Sequence, residues 1–248
     1  MRETLYGRQA VRESLRAQRR TPFRLLLADG AVSAPILDEI IGIAEARRIP
    51  VAYLSRNEME TFAGTAEHQG VALETSGYPY AEVDDMLKLA AARGEAPLIL
   101  LLDLIQDVHN LGSLLRTAEA AGAHGIILQS RRAAGITPAA VNTSSGAVEH
   151  LLVAQVANLS QEMEALKAQR LWIVGLEDVY GAQSYTTVDF TVPLGLVIGS
   201  EGEGLRRLVR ERCDMLALLP MRGAINSLNA AVAGSIALYE VLRQRGFT

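Results

Sequence analysis

In the second half of the chain, short apolar runs alternate with segments of helical periodicity. An apolar run of strand length indicates a strand that is buried on both faces. The strands predicted in this way are 98–104, 125–129, 151–154, 171–175, 195–198 and 215–219. Between them, apolar residues spaced three or four apart predict helices at 111–121, 138–146, 159–169, 203–212 and 226–244. Strands that alternate with helices predict an α/β domain whose parallel sheet is covered on both faces.

The first half shows similar elements in a less regular order. "LYGRQAVRESLRAQ" is amphipathic, with Val11 and Leu15 at helical spacing, and "PFRLLLADG" and "IPVAYLS" predict short strands. "HQGVALE" begins a third strand, and "PILDEIIGIAEARR" and "NEMETFAG" predict helices. Residues 76–96 contain Gly-Tyr-Pro-Tyr and a polar helix, which favours a linker. We therefore expect a small α/β domain at 1–75, a linker at 76–96 and a larger α/β domain at 97–248.

Composition excludes several classes of protein. The 248 residues are 49% hydrophobic and 21% charged, which is typical of a globular chain long enough to bury a core. The apolar runs fall far short of the roughly 20 residues that span a bilayer, and the first residues lack a signal-peptide core. A single cysteine, Cys213, excludes an internal disulfide and a zinc site built on several cysteines. The histidines show no metal-ligand spacing, so we expect no metal. The short apolar runs, the missing signal-peptide core and the single cysteine together lead us to expect a cytoplasmic protein with no membrane partner.

Charge is unevenly distributed along the chain. The formal net charge of −4 argues against a nucleic-acid partner, yet residues 1–24 hold seven arginines against two glutamates. Such a patch matters more than the total, since attraction to phosphate is screened beyond about 10 Å. A second cluster consists of Arg206, Arg207, Arg210 and Arg212. Solvated helix faces are the alternative interpretation of both clusters.

Two segments that follow predicted strands carry polar side chains where α/β proteins bind ligands. In "DVHNLGSLLRTAEAAGA", Asn110 is predicted to cap a helix whose leucines face the core, which turns Arg116 to the opposite side. In "VIGSEGEGL", the glycines match neither the P-loop nor the dinucleotide pattern. Glu201 and Glu203 would repel phosphate but suit a cationic or hydroxyl-bearing ligand. A solvated arginine and a tight turn are the respective alternatives.

A third segment, "LLPMRGAINSLNAAVAGSIALYE", contains a helix rich in alanine, glycine and serine. Ser227 and Asn229 stand at its opening. Small residues let backbones approach closely, so we expect this helix to be packed tightly between other elements. A buried C-terminal helix with Ser227 as its cap is the alternative, although it does not explain so many small residues together.

Taken in order, "NLGSLLRTAEAAG", "LVIGSEGEGL" and "LPMRGAINSLNAAVA" resemble the three signature motifs of the SpoU/TrmH family of RNA ribose 2′-O-methyltransferases. "LYGRQAVRESL" and "HQGVALE" resemble the N-terminal RNA-binding domain, similar to a small ribosomal-protein fold, of the branch that methylates guanosine in bacterial 23S rRNA. The resemblance implies a C-terminal α/β trefoil knot that binds S-adenosylmethionine (AdoMet). It also implies a homodimer whose active site lies near the subunit interface.

The resemblance implies which residues form the site. The AdoMet-binding positions are Leu176, Gly199, Leu219, Met221, Ser227 and Leu228. The polar positions of catalysis are Asn110, Arg116, Glu201, Ser227 and Asn229. The arginines expected to contact RNA phosphates are Arg8, Arg16, Arg19 and Arg20. The reaction implied is attack of a ribose 2′-hydroxyl on the sulfonium methyl group of AdoMet, without a metal.

Arg116 is the residue to which the family assigns removal of the hydroxyl proton. Because a guanidinium has a pKa above about 12, it is a poor base. We therefore expect Arg116 to hold a phosphate or the developing alkoxide, while solvent or Glu201 takes the proton. Many relatives carry serine where this chain has Ala231, but with Ser227 and Asn229 present we expect activity to survive.

Alternatives to guanosine methylation in 23S rRNA stay open at this point. The target could be a tRNA or another rRNA nucleotide, including a resistance-type site, because the base contacts lie in loops and in the N-terminal domain. A non-catalytic RNA-binding relative with the same fold is the other alternative, and the intact polar set weighs against it. We expect no DNA partner.

Overall fold

The chain folds as two units, and the first of them is built from two separate stretches of sequence. The structure, a computed structural model, describes residues 2–246. The first unit consists of the chain up to Pro79 together with Ile136–His150, and the second of Tyr80–Gly135 and the chain from Leu151 onward. The boundary near Pro79 lies inside the predicted linker, but most of that range belongs to the second unit. Residues 136–150, expected in the larger domain, pack with the first unit instead.

In chain order, the strands are β1 (Arg2–Tyr6), β2 (Pro22–Ala28), β3 (Val51–Leu54), β4 (Val71–Ser76), β5 (Leu98–Asp103), β6 (Gly125–Gln129), β7 (Val153–Val156), β8 (Trp172–Leu176), β9 (Gln183–Ser184), β10 (Leu194–Gly199) and β11 (Met215–Leu218). The helices are α1 (Arg8–Ala17), α2 (Pro35–Ala46), α3 (Arg56–Ala63), α4 (Val83–Arg93), α5 (Val108–Ala120), α6 (Pro138–Thr143), α7 (Leu159–Ala168), α8 (Arg207–Arg212) and α9 (Ala230–Arg245). Short 3₁₀ turns lie at Ala147–His150 and Tyr185–Thr187.

The sheet of the first unit has the strand order β1-β4-β2-β3. β4 runs antiparallel to β1 and β2, and β3 runs parallel to β2. On one face, Met59 of α3 packs against Leu26, Ala28 and Ala72. β1 is a strand that the sequence pattern does not predict. Within it only Leu5 is buried, so this edge strand lacks an apolar run.

A buried ion pair ties residues 136–150 to the rest of the first unit. Arg20 donates from Nε to the Glu149 carboxylate at 2.9 Å and from Nη1 to Glu3 at 2.7 Å. Arg20 is 4% exposed and Glu149 is 0% exposed. Burial raises the pKa of Glu149, and Arg20 opposes that rise. The prediction that Arg20 contacts an RNA phosphate is therefore wrong, because its guanidinium lies inside the fold and is already paired.

The second unit contains the predicted parallel sheet, in the order β7-β6-β5-β10-β8-β11-β9, with every neighbouring pair parallel. On one face, Val197 packs in a core with Met86 of α4 and Leu166 of α7. Side chains alternate along a strand, so the next residue, Ile198, faces the other side, where α9 packs. The α/β fold with a parallel sheet is confirmed, and the knot itself stays a prediction.

Close packing of α9 agrees with its composition of small residues. A Cβ atom on Gly234 would lie 2.5 Å from Cδ2 of Leu114 in α5 and 3.3 Å from Cγ1 of Ile198 in β10. Any larger residue at this position would crowd the Leu114 and Ile198 side chains. The expectation that this helix is packed tightly between other elements is confirmed.

Two helices begin later than the periodicity predicts. α8 starts at Arg207 rather than at 203, and α9 starts at Ala230 rather than at 226. In both cases the preceding residues form a loop at the carboxyl edge of the sheet. Among residues 2–246, no helix combines the length and the hydropathy that a bilayer crossing requires.

Replacing Arg20 by alanine should destabilise the protein strongly, because it leaves the Glu149 carboxylate buried without its counter-ion. We expect a loss of about 3 kcal/mol or more in the free energy of unfolding at neutral pH. The control is Arg16→Ala, which breaks half-exposed pairs with Glu13 and Glu39 and should cost less than about 1 kcal/mol. Unfolding in guanidinium chloride, followed by circular dichroism, measures both variants.

The loss in Arg20→Ala should also depend on pH. Without Arg20, the folded-state pKa of Glu149 stays above its ordinary value of 4.5, so the folded protein holds this proton more tightly than the unfolded chain. The loss is therefore full above the folded-state pKa and shrinks as the pH falls toward 4.5. Equal losses in the two variants, or a loss independent of pH, would contradict the structural role of this pair.

Candidate functional site

The carboxyl ends of adjacent parallel strands place several loops around one cavity in the second unit. β10, β8 and β11 are neighbours in the sheet, and the segments that follow them meet at the same edge. The cavity has a volume of about 570 Å³. Its walls are Leu176–Asp178 after β8, Ile198–Gly204 at and after β10, Leu219, Met221 and Asn226–Asn229 after β11, and Ala230 and Ala233 of α9.

The structure brings most of the predicted site residues to this cavity. All six positions expected to bind AdoMet line it: Leu176, Gly199, Leu219, Met221, Ser227 and Leu228. Glu201 and Asn229, expected to act in catalysis, line it as well. Asn110 lies in the wall of a neighbouring cavity of about 320 Å³, which also includes Leu104–Asp107. Ser200, Glu201 and Glu203 belong to both cavities and separate them.

Asn229 connects the polar residues of the two cavities. Its Nδ2 donates to Oδ1 of Asn110 at 2.9 Å and also to Oε1 of Glu201. Its Oδ1 accepts from the backbone N–H groups of Ala231 and Val232, at 2.9 and 3.2 Å. Asn229 is thus the N-cap of α9 and the hydrogen-bond partner of both other side chains. Three motifs that are distant in sequence meet through this one amide.

The N-cap of α5 differs from the prediction. Asp107, not Asn110, is the N-cap of α5, where its Oδ1 accepts from the backbone N–H of His109 and of Asn110 at 2.8 Å each. This frees the Asn110 side chain for Asn229. Asn229 caps α9, whereas the alternative interpretation of this segment had Ser227 as the cap. Several residues of capping type precede each helix, and local sequence does not decide between them.

Arg116 is not among the residues that line either cavity. It lies on the exposed side of α5, six residues beyond Asn110 and therefore about 9 Å farther along the helix axis. The neighbouring Thr117 hydroxyl lies 2.9 Å from the Ser235 hydroxyl of α9 and so helps to fix the two helices together. Of the five polar positions, Arg116 is thus the one that lines neither cavity.

The loop between β10 and α8 folds back on its own backbone. A Cβ on Gly199 would lie 2.3 Å from the carbonyl carbon of Gly204. The N–H of Gly204 donates to the carbonyl of Ser200 at 3.1 Å, and φ is +80° at Gly202 and +65° at Gly204. Gly199 is thus required for the closure of the loop, and it also lines the larger cavity.

Two carboxylates that the sequence interpretation missed hold this loop in place. Asp103, at the end of β5, is fully buried and accepts from the backbone N–H and Nε of Arg206 at 2.9 and 2.7 Å. Glu177, after β8, accepts from the backbone N–H of Leu205 at 3.3 Å and from Arg210. The hydrogen bond to Glu177 raises the pKa of Arg210. Two arginines of the second cluster, Arg206 and Arg210, therefore anchor the loop. The position of Glu177, an acidic residue just after a predicted strand, is a signal by which the sequence could have identified it.

The chemistry of the walls favours a ligand that is both apolar and cationic. Leucine, isoleucine and methionine side chains line part of the larger cavity, and Glu177, Asp178, Glu201 and Glu203 line the rest. Among the described residues, no group of three or more histidine, cysteine or acidic side chains is arranged to hold a metal ion. Cys213 lies outside the cavity, and burial raises its pKa to about 12, so its thiol is a poor nucleophile.

The predicted RNA-contacting arginines lie in the first unit and differ in their surroundings. Arg20 is buried, as described above. Arg16 pairs with Glu39 and Glu13, and Arg19 donates to the Tyr78 hydroxyl at 2.8 Å. Arg8 donates only to backbone carbonyls among the contacts of its side chain. Arg8 forms no ion pair with a carboxylate of residues 2–246, in contrast to Arg16 and Arg20.

Comparison with known proteins identifies two successive family matches along the chain. Residues 97–239 match the SpoU rRNA methylase family, and residues 4–81 match the RNA 2′-O ribose methyltransferase substrate-binding domain. The chain is 42% identical over 239 residues to YacO of Bacillus subtilis strain 168, described as a TrmH family tRNA/rRNA methyltransferase, covering 96% of this chain and 94% of the relative. It is 38% identical over 243 residues to a protein of the same description from Staphylococcus saprophyticus, covering 98% and 96%.

A solved structure also resembles the whole chain. The SpoU methyltransferase AviRb from Streptomyces viridochromogenes, in complex with AdoMet, superposes with a TM-score of 0.81 at 26% sequence identity. The match covers 98% of this chain and 90% of AviRb. The family match over more than half of the chain and the full-length relatives agree with the site geometry: the chain belongs to the SpoU family and is an AdoMet-dependent RNA methyltransferase with an N-terminal substrate-binding domain.

Proposed function

We propose that the protein methylates the ribose 2′-hydroxyl of a nucleotide in ribosomal RNA, with guanosine in 23S rRNA as its target. The observation that carries this proposal is the cluster of Asn110, Glu201 and Asn229, because it lies where two cavities meet. One cavity has the walls that a cofactor needs, and the other provides room for a second reactant beside it. The match of residues 4–81 to a 2′-O ribose methyltransferase substrate-binding domain supports the choice of hydroxyl.

The larger cavity fits AdoMet in size and in chemistry. Its volume of about 570 Å³ lies in the range of cavities that enclose cofactors. Leu176, Leu219, Met221 and Leu228 offer apolar contact to an adenosine, and the carboxylates of the loop favour a positive group. AdoMet supplies an activated methyl group on a positively charged sulfur. Among residues 2–246, no lysine or arginine lines these walls, which agrees with a ligand that has no phosphate.

The smaller cavity is our candidate for the position of the target ribose. Asn110 and Glu201 line it, and both are held in place through Asn229. Side chains fixed in this way can orient a hydroxyl group toward the larger cavity without losing further conformational entropy when it binds. Glu201 has a carboxylate within the shared wall, so it can accept the hydroxyl proton and pass it to solvent.

Arg116 acts in this proposal through its charge rather than as a base. It is exposed on α5 and lines neither cavity, which supports a role at the RNA backbone near the target nucleotide. A guanidinium presents two parallel N–H groups to a phosphate. Arg116 would thereby hold the target strand in position while Glu201 accepts the proton of the ribose hydroxyl.

The identity of the RNA is the finer part of the proposal. The relatives carry descriptions that name tRNA and rRNA together, so a tRNA target is the alternative. A ribosomal target is supported by the family model that matches residues 97–239. A non-catalytic role is disfavoured because the polar cluster is complete. We place the reaction in the cytoplasm, where such RNA is made and modified.

Glu201→Gln should reduce methyl transfer by about tenfold or more while AdoMet affinity changes only a few-fold, since the change removes the proton acceptor but keeps the shape. Transfer of tritiated methyl from AdoMet to 23S, 16S and tRNA transcripts, followed by nucleotide mapping, measures the rate and the target. The control is Glu203→Gln, which removes the same charge from the same loop and should be nearly as active as the wild type. Failure of the wild type both to label any RNA and to bind AdoMet in calorimetry would overturn the proposed function.

Arg116→Lys should lower the rate of methyl transfer by about tenfold because lysine cannot bind a phosphate in a bidentate manner. AdoMet affinity should stay at the wild-type value. Arg207→Lys, at an exposed position of α8 that pairs with Glu211, is the matched control and should leave the rate unchanged. A rate close to wild type in Arg116→Lys would refute a role that depends on the geometry of the guanidinium.

We also propose that the enzyme is a homodimer that pairs through α9. Val232, Ile236 and Tyr239 are exposed at intervals of four and three residues, so they form an apolar stripe on one side of this helix. Leu228, in the cavity wall, is exposed beside the start of the same helix. A second copy of the chain on this stripe would cover it and complete the neighbourhood of the site.

Ile236→Glu should convert the dimer to a monomer, because it places a charge in the centre of the apolar stripe. Sedimentation velocity or light scattering after gel filtration measures the mass in solution. Leu208→Glu, which adds the same charge at an exposed leucine of α8, should leave the mass unchanged. A wild-type protein that is monomeric at all concentrations would disprove the proposed dimer.

A further inference from the structure

The first unit contains a cavity of its own, with a volume of about 590 Å³. Two turns form most of it: 28–32, which follows β2, and 68–70, which precedes β4. Arg8 at the start of α1 and Arg56 at the start of α3 complete the wall. The reaction proposed above uses none of these residues, so the cavity has no role in the chemistry of methyl transfer.

A backbone hydrogen bond and close packing define the conformation of the two turns. Gln69 and Gly70 have φ of +53° and +79°, and the Val71 N–H donates to the His68 carbonyl at 3.0 Å, as in a type I′ turn. A Cβ on Gly70 would lie 3.0 Å from Cβ of Ala31, so the two turns approach each other closely. Gly30, in contrast, faces open space at φ +70°. The wall is therefore rigid on one side and accessible on the other.

Arg8 presents a fixed positive charge to this cavity. Its Nε donates to the carbonyl of Gln69 at 3.1 Å, and its Nη2 donates to the carbonyl of Val32 at 2.8 Å. Within the described part of the chain, no carboxylate forms an ion pair with it, whereas Arg56 pairs with Glu60. A guanidinium that backbone groups hold in place, without a counter-ion, is ready to bind an anion such as phosphate.

His68 and Asp29 add a donor and an acceptor to the same wall. The Nδ1 of His68 accepts from the Gly70 N–H at 3.0 Å, which assigns the proton of the neutral ring to Nε2. His68 is 5% exposed, and its Nε2 has no hydrogen-bond partner among residues 2–246. Such a buried unpaired donor is costly unless a ligand supplies the acceptor. Asp29, from the turn after β2, offers a carboxylate to N–H groups.

A nucleotide combines the groups that these side chains lack. Its phosphate suits Arg8, its base carbonyls suit an N–H donor, and its base N–H groups suit a carboxylate. A cavity of about 590 Å³ has room for one nucleotide. Recognition of splayed, unpaired bases is also the usual route to sequence-specific binding of RNA.

We propose that this cavity binds one unpaired nucleotide of the RNA substrate, with the phosphate on Arg8 and the base edge between His68 and Asp29. This rests on the proposed function, since it takes the ligand to be the RNA that the enzyme methylates. The first unit would then recognise a looped-out or single-stranded nucleotide that differs from the nucleotide that receives the methyl group.

The test uses the full-length protein and a short fluorescent oligoribonucleotide, offered as a single strand and as a duplex of the same sequence. Arg8→Ala should weaken single-strand binding about tenfold and lower the salt dependence by about one ion. Ala66→Trp, which fills the cavity from an exposed position and removes no hydrogen bond, should weaken it to a similar extent. Arg12→Ala, on the same helix but outside the cavity, is the control and should change the affinity less than about twofold.

Tighter binding of the single strand than of the duplex, lost in both cavity variants, supports the assignment. Wild-type affinity in Ala66→Trp, an equal effect of Arg12→Ala, or equal binding of single strand and duplex overturns it. AdoMet binding and methyl transfer by the wild type are measured separately. If these activities are present while the cavity variants bind RNA normally, the cavity assignment fails and the proposed function stands.

Discussion

The site depends on one amide side chain that makes two kinds of hydrogen bond at once. The oxygen of Asn229 caps α9, and its nitrogen binds Asn110 and Glu201. Because Oδ1 of Asn229 is held by the backbone of α9, its Nδ2 has little conformational freedom. The side chains of Asn110 and Glu201, which bind Nδ2, are therefore held in place as well. The position of these polar side chains is thus coupled to the packing of α9 on the sheet, which Gly234 makes possible by its close approach to Leu114.

Charge is arranged in the second unit so that acidic groups serve two different purposes. Asp103 and Glu177 bind arginine side chains and backbone N–H groups of the loop, so they stabilise its conformation. Glu201 and Glu203 lie in the cavity walls, where their charge is available to a ligand. A loop that looks unsuited to phosphate is therefore well suited to a cationic cofactor, and its glycines serve mainly its own closure.

The sequence was sufficient for the architecture of the second unit because its strands are buried on both faces and read as continuous apolar runs. It was also sufficient for the positions that line the larger cavity, although these came from the resemblance of three motifs to a family. The prediction that Asn110 caps α5 was wrong and the cap of α9 was left open, because Asp107, Asn110, Ser227 and Asn229 all have side chains that can cap and only tertiary contacts select among them. The prediction for Arg20 was wrong for a related reason. Nothing in the local sequence of this basic segment identifies Glu149 as the partner that buries Arg20. β1 was missed because an edge strand with one buried leucine has no apolar signal.

The separate origin of the two stretches of the first unit has a consequence for biosynthesis. The ribosome makes the first 79 residues, then a large part of the second unit, and only then the segment that contains Glu149. Until that segment emerges, Arg20, which lies between α1 and β2, can pair with Glu3 but not with Glu149. The N-terminal sequence therefore reaches its final packing only after β5, α5 and β6 have been synthesised, and a truncated chain that ends at the first boundary would lack part of its own interior.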